Sequence, residues 1–257
     1  MANLPDPLQV TGLTKTYGTR HGVQDLSFAV PQGAITGLLG PNGSGKSTTL
    51  HCITGFIKLS FGSILIGGAP HESVEAKDHF GFFPDDLPMP ESLTASETIS
   101  FYRRLRPLFS NETASGLTEL LGLSSHLDKY VGDYSHGMKR KLQLVLALAH
   151  RPELLILDEP MRGLDPEAGL LMNALLKTFT QEGGAILLAT HDLVAAERFC
   201  DSVVILAEGT MVASGTPRDL MLENGARSLE ELFVHATGLH ATMIGKEKEL
   251  QRLLRSP

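Results

Sequence analysis

The segment Gly40-Pro41-Asn42-Gly43-Ser44-Gly45-Lys46-Ser47 constrains this chain more than any other feature. It fits the pattern G-x-x-x-x-G-K-[ST]. The apolar run Ala34–Leu39 precedes it, and residues with helical spacing, Leu50, Ile53 and Ile57, follow it. A loop between a buried strand and a helix must turn sharply and let another group approach its backbone, which requires glycine. Several N–H groups of such a loop can converge on phosphate oxygens, and the positive end of the following helix reinforces them. Lys46 adds a full charge near the β- and γ-phosphates, and the Ser47 hydroxyl can bind Mg²⁺.

Two further apolar runs end in reactive side chains. Leu154-Leu155-Ile156-Leu157 leads into Asp158-Glu159-Pro160. A buried strand of a parallel sheet delivers such carboxylates to its C-terminal edge, where ligands bind. Asp158 is expected to hold Mg²⁺, directly or through water, and Glu159 to orient and deprotonate an attacking water. Ala185–Ala189 leads into Thr190-His191-Asp192, 33 residues after Asp158 and beyond one intervening helix. That spacing suits a neighbouring strand and places His191 where it can contact a γ-phosphate.

Alternating strand-like and helix-like runs predict an α/β fold with a largely parallel sheet. Strands are expected over Val10–Tyr17, Gly22–Val30, Ala34–Leu39, Gly62–Ile66, Phe80–Phe83, Leu154–Leu157, Ala185–Ala189 and Ser202–Leu206. Helices are expected over Lys46–Ile57, Met138–His150, Pro166–Glu182 and Leu193–Phe199. Residues 90–152 read as a helical lobe inserted in the α/β part, with Thr94 and Glu97 forming a capping box at its start. A second capping box is expected at Ser228 and Glu231. Residues 235–257 read as a helical tail.

The 257 residues carry a formal charge of −7, which argues against a nucleic-acid partner because phosphate contacts need Lys and Arg. Cys52 and Cys200 lie in apolar surroundings without CxxC spacing and read as small core residues in a reducing compartment. The first seven residues lack the basic and apolar regions of a signal peptide. The longest apolar run, Leu144–Ala149, is far short of the about 20 residues that a membrane-spanning helix needs.

These motifs, in this order, resemble the nucleotide-binding subunit of an ABC transporter, over about Leu8–Val234. Gly40–Ser47 resembles the family's Walker A. Leu154–Asp158 with Glu159 resembles its Walker B and catalytic glutamate. Tyr134-Ser135-His136-Gly137-Met138 stands where the LSGGQ signature is expected. Gly163-Leu164-Asp165-Pro166 resembles the D-loop, and His191 the switch histidine. Tyr17 resembles the aromatic that stacks on adenine. The resemblance implies a P-loop NTPase core of RecA type with an antiparallel β edge and an inserted helical lobe. It implies ATP and Mg²⁺ as ligands. ATP would contact Tyr17, Gly40, Pro41, Asn42, Gly43, Ser44, Gly45, Lys46, Ser47 and Thr48, and Mg²⁺ would contact Ser47, Asp85 and Asp158. Lys46, Glu159 and His191 would be catalytic. Ser135, Gly137 and Asp165 would complete the site of a second copy, or of a paralogous subunit, in a head-to-tail dimer. An integral membrane permease would be the other partner, at the cytoplasmic face of a membrane.

The chain departs from the family pattern at two places. His136 and Met138 replace Gly and Gln of the signature, a form resembling the branch that serves exporters with separate membrane subunits. Asp85 stands where the family usually has Gln after Gly-Tyr-x-Pro. The apolar residues Phe82, Phe83, Leu87, Met89, Pro90, Leu93, Phe101 and Tyr102 beside it fit either lobe core or a groove for a helix of the membrane partner. Two other classes remain open at this point: a soluble ABC-type ATPase in an assembly role, and a nucleotide-binding regulatory module without turnover.

Overall fold

A computed structural model of the chain describes residues 5–85, 88–164, 166–238 and 252–254. Asp165, Leu87 and most of the expected C-terminal tail lie outside the described residues.

The strands are β1 (Leu8–Tyr17), β2 (Arg20–Val30), β3 (Ile35–Leu39), β4 (Phe61–Ile66), β5 (Ala69–Pro70), β6 (Phe80–Phe83), β7 (Leu154–Asp158), β8 (Ala185–Thr190), β9 (Ser202–Ala207) and β10 (Thr210–Gly215). The helices are α1 (Lys46–Ile53), α2 (Val74–His79), α3 (Ala95–Leu105), α4 (Asn111–Leu120), α5 (His136–Leu148), α6 (Pro166–Gln181), α7 (Leu193–Phe199), α8 (Pro217–Asn224) and α9 (Leu229–Ala236). Six strands form one sheet in the order β10-β9-β3-β8-β7-β6. All of its pairings are parallel except β10 on β9. An antiparallel sheet of order β2-β1-β4-β5 covers it on one side.

Both faces of the parallel strands are buried, so these strands are continuously apolar. In β7, Leu155 and Leu157 point into one core and Leu154 and Ile156 into another. The first core joins the sheet to α5 and the other lobe helices through Phe83, Leu142 and Val145. The second lies between the two sheets and includes Leu50 and Ile53 of α1 and Leu13 of β1. The helical segment α3–α5 enters the chain between β6 and β7. Thr94 and Glu97 make the expected capping box. Ser228 caps α9, but Glu231 takes the Arg227 N–H instead of returning to Ser228.

Helix α1 is shorter than its apolar spacing predicts. Its last turn closes at Thr54, and Gly55 then takes a left-handed conformation, φ 78°, that ends the helix. Phe83, one of the groove candidates, is fully buried and belongs to the core. Cys52 and Cys200 are both buried free thiols.

Candidate functional site

Strands β3, β7 and β8 lie side by side, so the residues that follow them meet at one sheet edge. After β3 the chain turns through Gly40–Gly45. Gly45 has φ 106°, and a Cβ built there would lie 2.8 Å from the Gly22 carbonyl oxygen. Glycine is therefore required at Gly45 on two grounds. A Cβ on Gly40 would lie 2.2 Å from Ser44 Oγ. No side chain caps the N-terminus of α1, which leaves its first N–H groups for a ligand. The buried Ser44 hydroxyl has no partner. Lys46 is 8% exposed and donates from Nζ to the Gly40 carbonyl at 2.5 Å and to Pro41 at 3.3 Å. Burial lowers its pKa, while Glu159 and then Asp158 act against that.

Asp158 ends β7 and is nearly buried. Desolvation, then the charges of Asp85 and Glu159, push its carboxyl up to about 6, against Lys46 and Arg140. Glu159 sits in the left-handed region at φ 47°, which is uncommon for a residue with a side chain and marks backbone held by its surroundings. Its N–H donates to the Ala189 carbonyl at 2.9 Å. Its carboxylate accepts from Thr190 Oγ1 at 3.1 Å and from the His191 N–H at 3.0 Å, and His191 Nδ1 lies 2.7 Å away. The adjacent strands thus bring the acid and the histidine together as their spacing implied.

Two cations that the motifs do not mark also enter the site. Arg162 NH1 lies 2.5 Å from Asp85 Oδ2. Arg140, 2% exposed, projects from α5 and stacks on Phe83 at 3.9 Å. It donates to the carbonyls of Pro84, of Asp85 at 3.1 Å and of Glu159 at 3.1 Å. One buried guanidinium therefore ties the helical segment to both loops of the site. The sequence signal for Arg140 is weak: it stands one turn before Leu144 on the buried side of α5, within a run of basic residues.

These groups enclose a pocket of about 520 Å³, within the range of small-molecule sites. Asn42, Gly43, Gly45, Lys46, Ser47 and Thr48 line it on one side, and Asp85, Asp158, Glu159, Arg162 and His191 on the other. Gly40, Pro41 and Ser44 support the loop from behind. Tyr17 is 47% exposed beside Gly22, which lines the pocket. A Cβ on Gly22 would meet the Tyr17 ring at 2.7 Å. Ser135 caps α5, accepting from the Met138 N–H, and with Gly137 it does not line the pocket.

A family profile described as ABC transporter matches residues 23–162. The chain is 34% identical over 232 residues to the linearmycin resistance ATP-binding protein LnrL of Bacillus subtilis, covering 88% of this chain and 75% of that protein. It is 38% identical over 234 residues to the Nod factor export ATP-binding protein I of Rhizobium johnstonii, covering 89% and 75%. A solved structure described as the ATP-binding subunit of an ABC transporter superposes with TM-score 0.82 at 35% identity, covering 90% of this chain and 99% of that one. The chain belongs to the ABC transporter ATP-binding family. It is an ATP-binding subunit and an ATPase of that family. A nucleotide-free ATP-binding cassette at 22% identity and TM-score 0.73 shares the fold.

The residues of this ABC subunit fit a nucleoside triphosphate. The uncapped helix end, the unpartnered Ser44 hydroxyl and the Lys46 ammonium are donors that now have only loop carbonyls or nothing to satisfy them. The oxygen donors Ser47 and Asp158 suit a hard divalent cation. Among the described residues, no three His, Cys, Asp or Glu side chains converge to hold a metal ion. Asp85 Oδ2 carries the Arg162 guanidinium.

Proposed function

We propose that this chain hydrolyses MgATP as the motor subunit of a two-component ABC exporter, one copy facing another head to tail. The observation that carries the chemistry is the Glu159 carboxylate, fixed by Thr190 and His191 at the pocket's edge. Loop N–H groups and Lys46 would hold the phosphates, and Tyr17 the adenine. Mg²⁺, held by Ser47, Asp85 and Asp158 together with the phosphates, would neutralise charge on the transferring group. Glu159 would orient a water and take its proton as that water attacks. His191 would fix the carboxylate and face the γ-phosphate. Lys46 would give up its bonds to Gly40 and Pro41 for phosphate oxygens.

The dimer reading rests on the signature. Ser135 and Gly137 open the 13-residue helix α5 yet do not line their own chain's pocket. A helix start of this kind favours an anion, here the γ-phosphate held by the facing copy. Asp165 is proposed to lie at the same interface. Closure on two ATP molecules and reopening after hydrolysis would then drive the membrane subunit. We take residues 1–234 as the ABC domain, with 90–152 as its lobe and 235–257 as a tail.

An integral permease is the proposed second partner. Phe56, Phe82, Met89, Phe101, Tyr102 and Leu105 line a groove of about 380 Å³ between the lobe and the sheet. Phe56 and Leu105, 61% and 60% exposed, leave this apolar lining open to a partner. A helix of the permease would fill it, placing this chain at the cytoplasmic face of a membrane. Among the described residues no helix is long and apolar enough to cross a membrane. The names of the two relatives, a resistance protein and an export protein, support export.

The deciding experiment is nucleotide binding by wild type and Lys46→Ala. Wild type is expected to bind MgATP and Lys46→Ala to lose most of that affinity with its melting temperature kept. Equal binding by the two proteins would overturn the reading of the loop.

A further inference from the structure

Asp85 stands where the family pattern has an uncharged Gln, and the structure shows what the extra charge meets. Arg162 reaches across from the loop after β7 and places NH1 2.5 Å from Asp85 Oδ2. A glutamine could not form that ion pair. Both side chains line the nucleotide pocket, with Asp158 beside them. The charge of Asp85 is felt by Asp158, the residue proposed to hold Mg²⁺.

The two main chains are anchored and the two side chains are not equally so. Arg140 grips the carbonyls of Pro84 and Asp85. The Arg162 N–H donates to the Glu159 carbonyl at 3.1 Å. The Asp85 carboxylate is about one quarter exposed, whereas the Arg162 side chain is 66% exposed and has open solvent to turn into. The contact can therefore open by a swing of the arginine alone.

We propose that Arg162 is a built-in counter-ion for Asp85, and that the divalent cation arriving with ATP competes with it for the same carboxylate. This rests on the MgATP reading above. A guanidinium carries no lone pair for a metal, and a carboxylate oxygen held by Arg162 is a poorer metal ligand. The guanidinium and the metal are both cations, so their repulsion keeps them from making full use of one carboxylate oxygen together. The pair therefore keeps Asp85 neutralised beside Asp158 and Glu159 before nucleotide enters. It also makes Arg162 a determinant of metal affinity that a Gln-bearing relative would not need.

The test measures metal, not turnover. Free Mn²⁺ is followed by electron paramagnetic resonance while it is titrated into protein holding a non-hydrolysable ATP analogue. Wild type, Arg162→Gln, Asp85→Asn and the double variant are compared. An exposed ion pair contributes little, so Arg162→Gln is expected to tighten Mn²⁺ by only about threefold at low salt. The gain should shrink at high salt, where exposed charges are screened. Asp85→Asn should weaken Mn²⁺, and adding Arg162→Gln to it should then change nothing. Arg162→Lys, which keeps the charge but not the planar fork, should fall between wild type and Arg162→Gln. If Arg162→Gln tightens Mn²⁺ equally in the Asp85→Asn background, the effect is general electrostatics and the proposal fails. It fails also if Arg162→Gln leaves Mn²⁺ affinity unchanged while wild type binds the Mn²⁺–nucleotide complex normally. Wild type that holds no Mn²⁺–nucleotide complex at all would instead sink the proposed function.

Discussion

The imidazole Nδ1 of His191 lies 2.7 Å from Glu159 Oε1, and the His191 N–H donates to the same oxygen at 3.0 Å. One residue thus holds the carboxylate twice, once by its ring and once by its backbone. Only the first hold depends on which side chain stands at that position. Loss of the ring leaves the backbone N–H and the Thr190 hydroxyl in place.

That difference separates two variants. Glu159→Gln keeps the shape and one acceptor oxygen but cannot take a proton. It should lower turnover by about 10²–10⁴-fold while MgATP still binds, and the protein should accumulate as an ATP-bound dimer. His191→Ala should lose less, because two donors to the carboxylate remain. Phosphate release and size-exclusion chromatography with ATP read both outcomes. Unchanged turnover in Glu159→Gln would remove it as the base.

The loop glycines are not equivalent. Gly43 and Gly45 both have positive φ, but nothing lies within 4 Å of a Cβ on Gly43, whereas one on Gly45 would strike the Gly22 carbonyl and Val23. Gly43→Ala should therefore cost about 1–2 kcal/mol of backbone strain alone. Gly45→Ala should cost more and also disturb the start of α1. Thermal melts and nucleotide titrations of the two variants should rank Gly45→Ala as the worse in both.

Much of this arrangement was legible in the sequence because a parallel strand buried on both faces is an unbroken apolar run, and the next residue is then at the sheet edge. That logic located Asp158, Glu159 and His191 without coordinates. It did not reveal β10, whose hairpin turns at Glu208-Gly209 with φ 49° and 80°, and whose Met-Val-Ala-Ser run has little apolar alternation. Nor did it reveal α2, six mostly polar residues carried by a Ser73 cap. Arg140 and Arg162 were hidden for another reason. A basic residue reads as solvated surface, and only the tertiary position of Pro84 and Asp85 gives these two their partners.

Arg140 gives the third prediction. Arg140→Met keeps the apolar stem over Phe83 but removes the guanidinium donor from the carbonyls of Pro84, Asp85 and Glu159, of which Glu159 still accepts from the Arg162 N–H. A buried acceptor left unpaired costs about 1–3 kcal/mol. Melting should fall by several degrees. Because the Glu159 backbone is one of the three, kcat should fall more than the apparent affinity for MgATP. Arg140→Lys should restore part of the stability and less of kcat, since a single ammonium cannot span both loops. Equal losses in kcat and affinity would reduce Arg140 to a packing residue.

The last prediction concerns acid. His150 is 3% exposed on the floor of the groove, with Nε2 2.9 Å from the Phe80 carbonyl oxygen and Nδ1 buried without a partner. Burial, then Arg106, push its pKa down to about 4, against the Phe80 bond and Asp78. The unfolded chain takes up this proton near the ordinary histidine value of about 6.5, the native one only near 4. Stability from this group is therefore present above about pH 6.5 and lost as pH falls toward 4. Asp158, raised to about 6, works the other way over much of the same range, because the native state holds its proton first. A bare acid melt would mix the two, so the comparison must be with His150→Gln, whose amide can still donate to Phe80. Wild type should lose stability relative to that variant between pH 6.5 and 4, on the order of 3 kcal/mol in all. Urea unfolding of both proteins across that range gives the difference. Parallel pH profiles would show that His150 titrates alike in the folded and unfolded chain.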